Sequence, residues 1–368
     1  MIEHLGDDID FRVVCMDRDL RQSEAYPDVR IGSWQRVGKG QVIYLPAQAM
    51  RPWQLRRLLG NETPDTVYFN SFFNPRFTIS PLWSMRYGLL PAWKTLIAPR
   101  GEFSPGALKF RAPKKKAYLY TALIGGFLKD VQWHASTHYE AEDIKRATGV
   151  ADKRITIAPD LPGGVPRDVC HETKVPGVLR VVTLSRVVRQ KNLAQAIEIV
   201  SRLEGRIAFD IYGLQEDTNY LEECQALIRS APRNVEINFL GPIAHEAVAA
   251  RMNSYDVFLL PTNSENFGHA IYEAMSCGLP VVISDRTPWR HLHSHGAGYD
   301  LDLDDRDAFV AALTRYVRMS AVEFESCRNG ARGFAQDWIR TSGAMELNQR
   351  LFLDLAREDA GKAVILPV

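Results

Sequence analysis

Residues 260–280 read Leu260-Pro261-Thr262-Asn263-Ser264-Glu265-Asn266-Phe267-Gly268-His269-Ala270-Ile271-Tyr272-Glu273-Ala274-Met275-Ser276-Cys277-Gly278-Leu279-Pro280. An apolar run from Val257 leads in, a polar loop follows, and the spacing predicts a helix from His269 to Cys277 with Gly278 as its stop. Ser264 or Asn266 is the expected cap, and Gly268 lets backbone N–H groups approach a ligand. A helix start of this kind, at the positive end of its dipole, is a natural seat for phosphate. Glu265 then lies at the helix mouth, while Glu273 sits over a turn further in, beside His269 at i to i+4. Two carboxylates in one pocket serve either as an acid/base pair or as holders of sugar hydroxyls. In isolation each glutamate reads first as surface charge.

Outward from this stretch the same rhythm repeats. Val178–Leu184, Ile207–Tyr212, Val235–Leu240, Val257–Leu260 and Val281–Ser284 are short, β-branched apolar runs separated by segments of helical period. That alternation predicts βαβ units on a parallel sheet, a Rossmann-like α/β domain over 177–335. Its first strand is followed by Leu184-Ser185-Arg186-Val187-Val188-Arg189-Gln190-Lys191-Asn192. Arg186 and Lys191 therefore fall at the carboxyl edge of the sheet, where ligands of open α/β folds bind, placed to neutralise a diphosphate. The first half, 1–160, is also α/β but less regular, with strands expected at 11–15, 41–45, 67–69, 95–98 and 131–134. Residues 161–176, rich in Pro and Gly, read as a hinge. Two terminal helices are expected at 324–338 and 346–357, with about 340–368 returning to the first domain.

Composition excludes several classes. The chain has 368 residues, 45 basic and 44 acidic side chains, and 46% hydrophobic residues, which is ordinary globular usage for about two domains. Its longest run free of charge, 117–128, is far short of a membrane-spanning helix. The five cysteines, at 15, 170, 224, 277 and 327, are scattered and odd in number, which disfavours a disulfide framework or zinc knuckle. With no signal peptide at the N-terminus, a cytoplasmic location is expected. The formal charge of +1 conceals an asymmetry: residues 1–160 hold 23 Lys and Arg against 17 Asp and Glu. The surplus sits in 94–116, where Lys109, Arg111, Lys114, Lys115 and Lys116 lead into Ala117-Tyr118-Leu119-Tyr120. Such a junction suits an anionic membrane surface or an acidic acceptor better than nucleic acid, for which no motif is present.

Taken together, residues 178–290 resemble the donor-binding domain of a GT-B glycosyltransferase of the group 1, family 4 type. Glu265 to Glu273 matches that family's E-x7-E motif, Gly278-Leu279-Pro280 matches its ending, and Arg186 and Lys191 match its diphosphate-binding pair. The resemblance implies two Rossmann-like domains facing a cleft, and transfer of a sugar from a nucleotide-diphosphate donor to an acceptor hydroxyl with retention. It implies that Glu265 contacts the transferred sugar and Glu273 the ribose. The backbone of Asn266, Phe267, Gly268 and His269 would contact phosphate or sugar, with the base near Gly213, Leu240 and Gly241. No cofactor or metal is called for. The acceptor expected is a saccharide or a lipid-linked one, in polysaccharide or glycolipid synthesis, with the protein peripheral at the inner membrane face. A nucleotide-sugar epimerase, a phosphorylase, or an inactive sugar-nucleotide-binding protein are the alternatives.

The first half resembles the acceptor domain more loosely, through Leu96-Ile97-Ala98-Pro99-Arg100-Gly101 and Trp133-His134-Ala135-Ser136. Arg100 falls where relatives carry a cleft-facing His, which makes it a candidate catalytic cation. His134 is an acceptor-side candidate, weighed evenly against a satisfied core histidine. One departure is plain: no apolar strand and glycine-rich loop precede Phe11, so either the first domain lacks that strand, which would leave a sheet edge and part of the cleft open, or Met1 is not the natural start. Asp17-Arg18-Asp19, Asp302-Leu303-Asp304 and His291-x-His293-x-His295 read as surface features rather than metal sites.

Overall fold

The computed structural model describes all residues except 19–23, 47–50, 60–63, 105–106, 109–111, 164–171, 355–361 and 367–368. The chain divides into two compact units: unit 1, Met1–Leu161 with Gly343–Val368, and unit 2, Pro162–Ser342. Lys109 and Arg111 of the basic stretch, Asp19 and Cys170 lie outside the described residues.

Unit 1 is built on one sheet. Its strands are β1 (Asp10–Met16), β2 (Trp34–Val37), β3 (Gly40–Leu45), β4 (Thr66–Phe69), β5 (Lys94–Ile97), β6 (Val131–Ala135) and β7 (Ile155–Ile157), joined by a C-terminal strand, Lys362–Leu366. All pairs are parallel except the β2–β3 hairpin. The sheet edge expected to be left open beside β1 is not open. The C-terminal strand fills the slot, with Phe11 opposite Ala363 on one side and Thr66 opposite Ala363 on the other. Such a placement is invisible to periodicity, because the partners are more than 290 residues apart. The core packs Val67, Phe69, Phe72, Phe103 and Trp133 between sheet and helices.

Unit 2 carries β8 (Val178–Leu184), β9 (Arg206–Tyr212), β10 (Val235–Gly241), β11 (Val257–Leu260), β12 (Val281–Ser284) and β13 (Gly298–Leu301) in the order β10-β9-β8-β11-β12-β13, every pair parallel. The strand order reverses between β8 and β11, which is the switch point where doubly wound sheets bind ligands. β11 and β12 are buried along their whole length, the reason they read as continuous apolar runs rather than alternating ones. The helix Ala321–Thr341 opens on a Ser320–Glu323 capping box and belongs to unit 2, whereas Ala344–Leu353 belongs to unit 1. No helix among the described residues is long and apolar enough to cross a membrane.

Candidate active site

At the switch point three loops of unit 2 are tied together. The loop after β8 ends in a 3-10 turn, Arg189–Lys191, from which the Lys191 Nζ donates to Glu265 Oε1 in the loop after β11. Both side chains are at least 85% buried (15% and 11% exposed), so the pair is sheltered from screening. The backbone reinforces it: Asn263 N–H donates to Gln190 O at 2.9 Å, Asn263 Nδ2 to Arg189 O at 3.0 Å, and Glu265 N–H to Arg286 O at 3.0 Å. Ser284 Oγ at the end of β12 donates to Thr262 O at 2.6 Å. Glu265 is thus fixed by neighbours from three strands, the rigidity a reacting group needs.

The helix His269–Ser276 starts at Gly268, whose φ of 79° makes it the N-cap, and no side chain caps it. Ser264 and Asn266, the expected caps, do not. A Cβ at Gly268 would meet Ile271 Cδ1 at 2.9 Å, so only glycine lets the chain enter the helix this close to its own first turn. Phe267 turns its ring inward against Trp289, Trp338 and Tyr272, and its carbonyl accepts from Trp289 Nε1 at 2.5 Å. Its part in the site is therefore to anchor the loop, not to present a side chain. Burial pushes the Glu273 carboxyl above its usual range, with His245 and His269 pulling the other way.

At the other end of the same edge, Arg186 is half exposed and donates from Nη1 to Glu216 Oε2 at 3.2 Å. Gly213 closes β9 with its N–H on Gly241 O at 2.8 Å, and a Cβ there would lie 1.9 Å from Ser185 O. Gly241, at φ 75°, ends β10, and Leu240 and Leu214 stand exposed on either side. Two glycine-lined strand ends flanked by apolar side chains form a ledge suited to a flat ring.

In unit 1, Arg100 lies after β5 with φ 54° and is held on three sides. Nε donates to Asn70 Oδ1 at 2.6 Å, Nη2 to the Tyr68 hydroxyl at 2.7 Å, and Nη1 pairs with Asp160. Tyr68 OH and His134 Nδ1 are 2.8 Å apart, and His134 Nε2 is 2.8 Å from Ala158 O. A carbonyl only accepts, so Nε2 carries the proton; burial and the nearby Arg100 lower the imidazole to about 4, so it is neutral and Tyr68 donates to Nδ1. His134 is 1% exposed with both nitrogens engaged, which makes it a core residue and not an acceptor-facing one. Glu140 fastens the same edge by accepting from Gly101 N, Ser136 N and Ser136 Oγ. Tyr68, Asn70, Asp160, Glu140 and Glu216 were not singled out by sequence reasoning. Glu140 alone carried a signal, the Thr137-x-x-Glu140 capping spacing, and Thr137 does cap that helix.

Among the described residues no group of three or more His, Cys, Asp or Glu side chains converges as a metal site. Asp304 N–H donates to Asp302 Oδ1 in a turn, and His293 stacks on Tyr299, so neither weak motif gathers ligands.

A parallel sheet with a cation–carboxylate pair at its switch point and an uncapped helix start beside it places unit 2 in the doubly wound α/β class. Residues 172–332 match the model of the family "Glycosyl transferases group 1". A phosphatidyl-myo-inositol mannosyltransferase of Mycobacterium leprae is 33% identical over 105 residues, 28% of each chain. The chain spans about a third or less of the length of the curated relatives first matched. Among solved structures, sucrose-phosphate synthase of Thermosynechococcus elongatus superposes with a TM-score of 0.63 at 16% identity, over 93% of this chain and 89% of the other. Anabaena HepE, solved in complex with UDP-glucose, gives 0.62 at 14% identity over 84% and 85%. The fold is GT-B.

Proposed function

We propose that the protein is a retaining glycosyltransferase that moves a sugar from a nucleotide-diphosphate donor, seated on unit 2, to a hydroxyl of a saccharide or lipid-linked acceptor served by unit 1. The observation that carries the reading is the Lys191–Glu265 pair at the sheet's switch point, inside the segment that matches the family. Charge builds on the leaving diphosphate as the glycosidic bond lengthens. Lys191, Arg186 and the start of the helix His269–Ser276 are the groups assigned to stabilise it, without a metal. Glu265 is assigned to the transferred sugar, Glu273 to the ribose, and the ledge at Gly213, Leu240 and Gly241 to the base. Arg100, rigidly held and still carrying N–H groups beyond its three bonds, is assigned to an anionic group of acceptor or donor. A peripheral place at the inner face of a membrane belongs to the same reading.

The test is a thermal-shift panel of UDP-, GDP- and ADP-sugars, followed by an assay of nucleoside diphosphate release with candidate acceptors. A donor at a hundred times its Kd stabilises the fold by about 2.7 kcal/mol. Stabilisation by one nucleotide class, lost in Lys191→Ala, is the expected result. No shift with any of them overturns the assignment.

A further inference from the structure

We infer that unit 1 docks on an anionic lipid bilayer through an apolar stripe of the helix Ala112–Ile124 flanked by Lys114 and Lys116, inserting Tyr120 and Ile124 beside an aromatic ridge at Trp83 and Tyr87. This deepens the peripheral-membrane part of the proposed function and does not depend on sugar transfer. Ala117, Tyr120 and Ile124 recur at i, i+3 and i+7 on one helix face, and Tyr120 and Ile124 are 68% and 69% exposed. The opposite face already fills the core with Tyr118, Leu119 and Ala122, so the exposed row is surplus to folding. The ridge joins it at the helix end. Trp83 stacks on Phe127 at 5.1 Å, Tyr87 meets the same ring at 6.1 Å, and Arg86 Nε donates to Gly125 O at 3.2 Å. Leu89 and Leu123 extend the exposed apolar surface. Aromatic side chains with an apolar body and a polar tip are the ones that settle at the headgroup level.

The charge points to the partner. The helix carries Lys114-Lys115-Lys116 directly after its first two residues and has no acid in its first turn, although cations near a helix N-terminus face the positive end of its dipole. The sequence patch divides in the structure. Lys115 turns inward and is half-buried, donating to Ala107 O at 2.7 Å and lying 5.0 Å from the Phe73 ring. Lys114 and Lys116 stay exposed on either side of the stripe. Basic flanks around a convex apolar row fit anionic headgroups over acyl chains, whereas a peptide would need a groove.

The test is co-sedimentation of the full chain with phosphatidylcholine vesicles, with and without about one-quarter phosphatidylglycerol. Binding tightens by about thirtyfold with the anionic lipid and falls by about the same factor in Lys114→Glu/Lys116→Glu. A fraction persists at about 0.5 M salt, where exposed charges are screened, and Tyr120→Ser/Ile124→Ser abolishes that fraction. Brominated lipid quenches tryptophan fluorescence less in Trp83→Phe. Circular dichroism melts confirm that these surface variants fold. Binding released completely by salt and indifferent to Tyr120→Ser/Ile124→Ser overturns the stripe while leaving an electrostatic membrane association. Equal binding to both vesicles, no binding, or self-association that buries the stripe overturns the docking surface altogether. Donor-binding results bear on none of these outcomes.

Discussion

Lys191 and Glu265 stand 74 residues apart in sequence, yet the lysine Nζ donates to the glutamate Oε1 across the carboxyl edge of β8 and β11. Each is the other's partner in a sheltered place, so removing either leaves a charge poorly solvated. Lys191→Ala and Glu265→Ala are expected to lower turnover by about 10² to 10³, the loss typical of one transition-state contact. The loops keep their backbone ties, so urea unfolding should register only about 1–3 kcal/mol. Near-normal turnover in both variants would refute the site.

Neutralisation by Arg186 and Lys191 makes a second prediction. Turnover should be unchanged after exhaustive treatment with EDTA and dialysis, because the proposed site assigns two cations to the diphosphate and needs no metal. Loss of activity on chelation, restored by a divalent cation, would reassign that charge.

His134 gives unit 1 a defined acid sensitivity. Its folded-state value, lowered from 6.5 to about 4, means that between those limits the unfolded chain binds a proton the native state refuses. Stability is therefore full above pH 6.5 and drops as pH falls, by on the order of 3 kcal/mol at pH 4. Urea titrations from pH 7 to 4 should show a slope that His134→Gln flattens. Parallel slopes in the two proteins would mean the histidine does not titrate as its burial dictates.

How much of this was legible follows from the range of the interactions. The strands and loops of unit 2 were readable because parallel, doubly buried strands are unbroken apolar runs and their ligand loops are adjacent in sequence. Arg186, Lys191, Glu265 and Gly268 needed only that local grammar. The N-cap is Gly268 rather than Ser264 or Asn266, because the chain enters the helix through a left-handed turn at that glycine, with no side-chain cap for the sequence to signal. Lys115 looked identical to its two neighbours until the helix phase turned it onto Phe73. The Arg100–Tyr68–His134 chain spans three strands and β13 is short and polar, so neither left a periodic signal.

Two glycines of unit 2 predict opposite effects. Gly213→Ala places a methyl 1.9 Å from Ser185 O with φ at 147°, and is expected to cost about 3 kcal/mol or more while loosening the strand ends assigned to the base. Gly333, inside the helix Ala321–Thr341, has nothing within 4 Å of its missing Cβ. Gly333→Ala should stabilise by roughly 0.5–1 kcal/mol through reduced unfolded-state entropy. Differential scanning calorimetry reads both, and equal melting temperatures would contradict the backbone argument.

The C-terminal strand makes the most structural demand on unit 1. Lys362–Leu366 pairs with β1 through Asp10–Val13 and with β4 through Thr66–Phe69, so among the described residues it is the strand that joins the β2-β3-β1 half of the sheet to the β4-β5-β6-β7 half. Ending the chain at Asp354 strips a ladder from each of two inner strands and exposes buried residues such as Phe11, Val14, Val67 and Phe69 beside them. Unit 2 closes its own sheet without help from this segment. The truncated protein should therefore lose the cooperative unfolding of unit 1 and become protease-sensitive across 1–161, while a fragment near 162–342 resists and still melts cooperatively. Since Lys191, Arg186, Glu265, Glu273 and the ledge assigned to the nucleotide sugar lie in that fragment, it should keep nucleotide-induced stabilisation while transfer disappears. A truncated chain whose first unit unfolds at an unchanged denaturant midpoint would show that the strand is not what joins the two halves of the sheet.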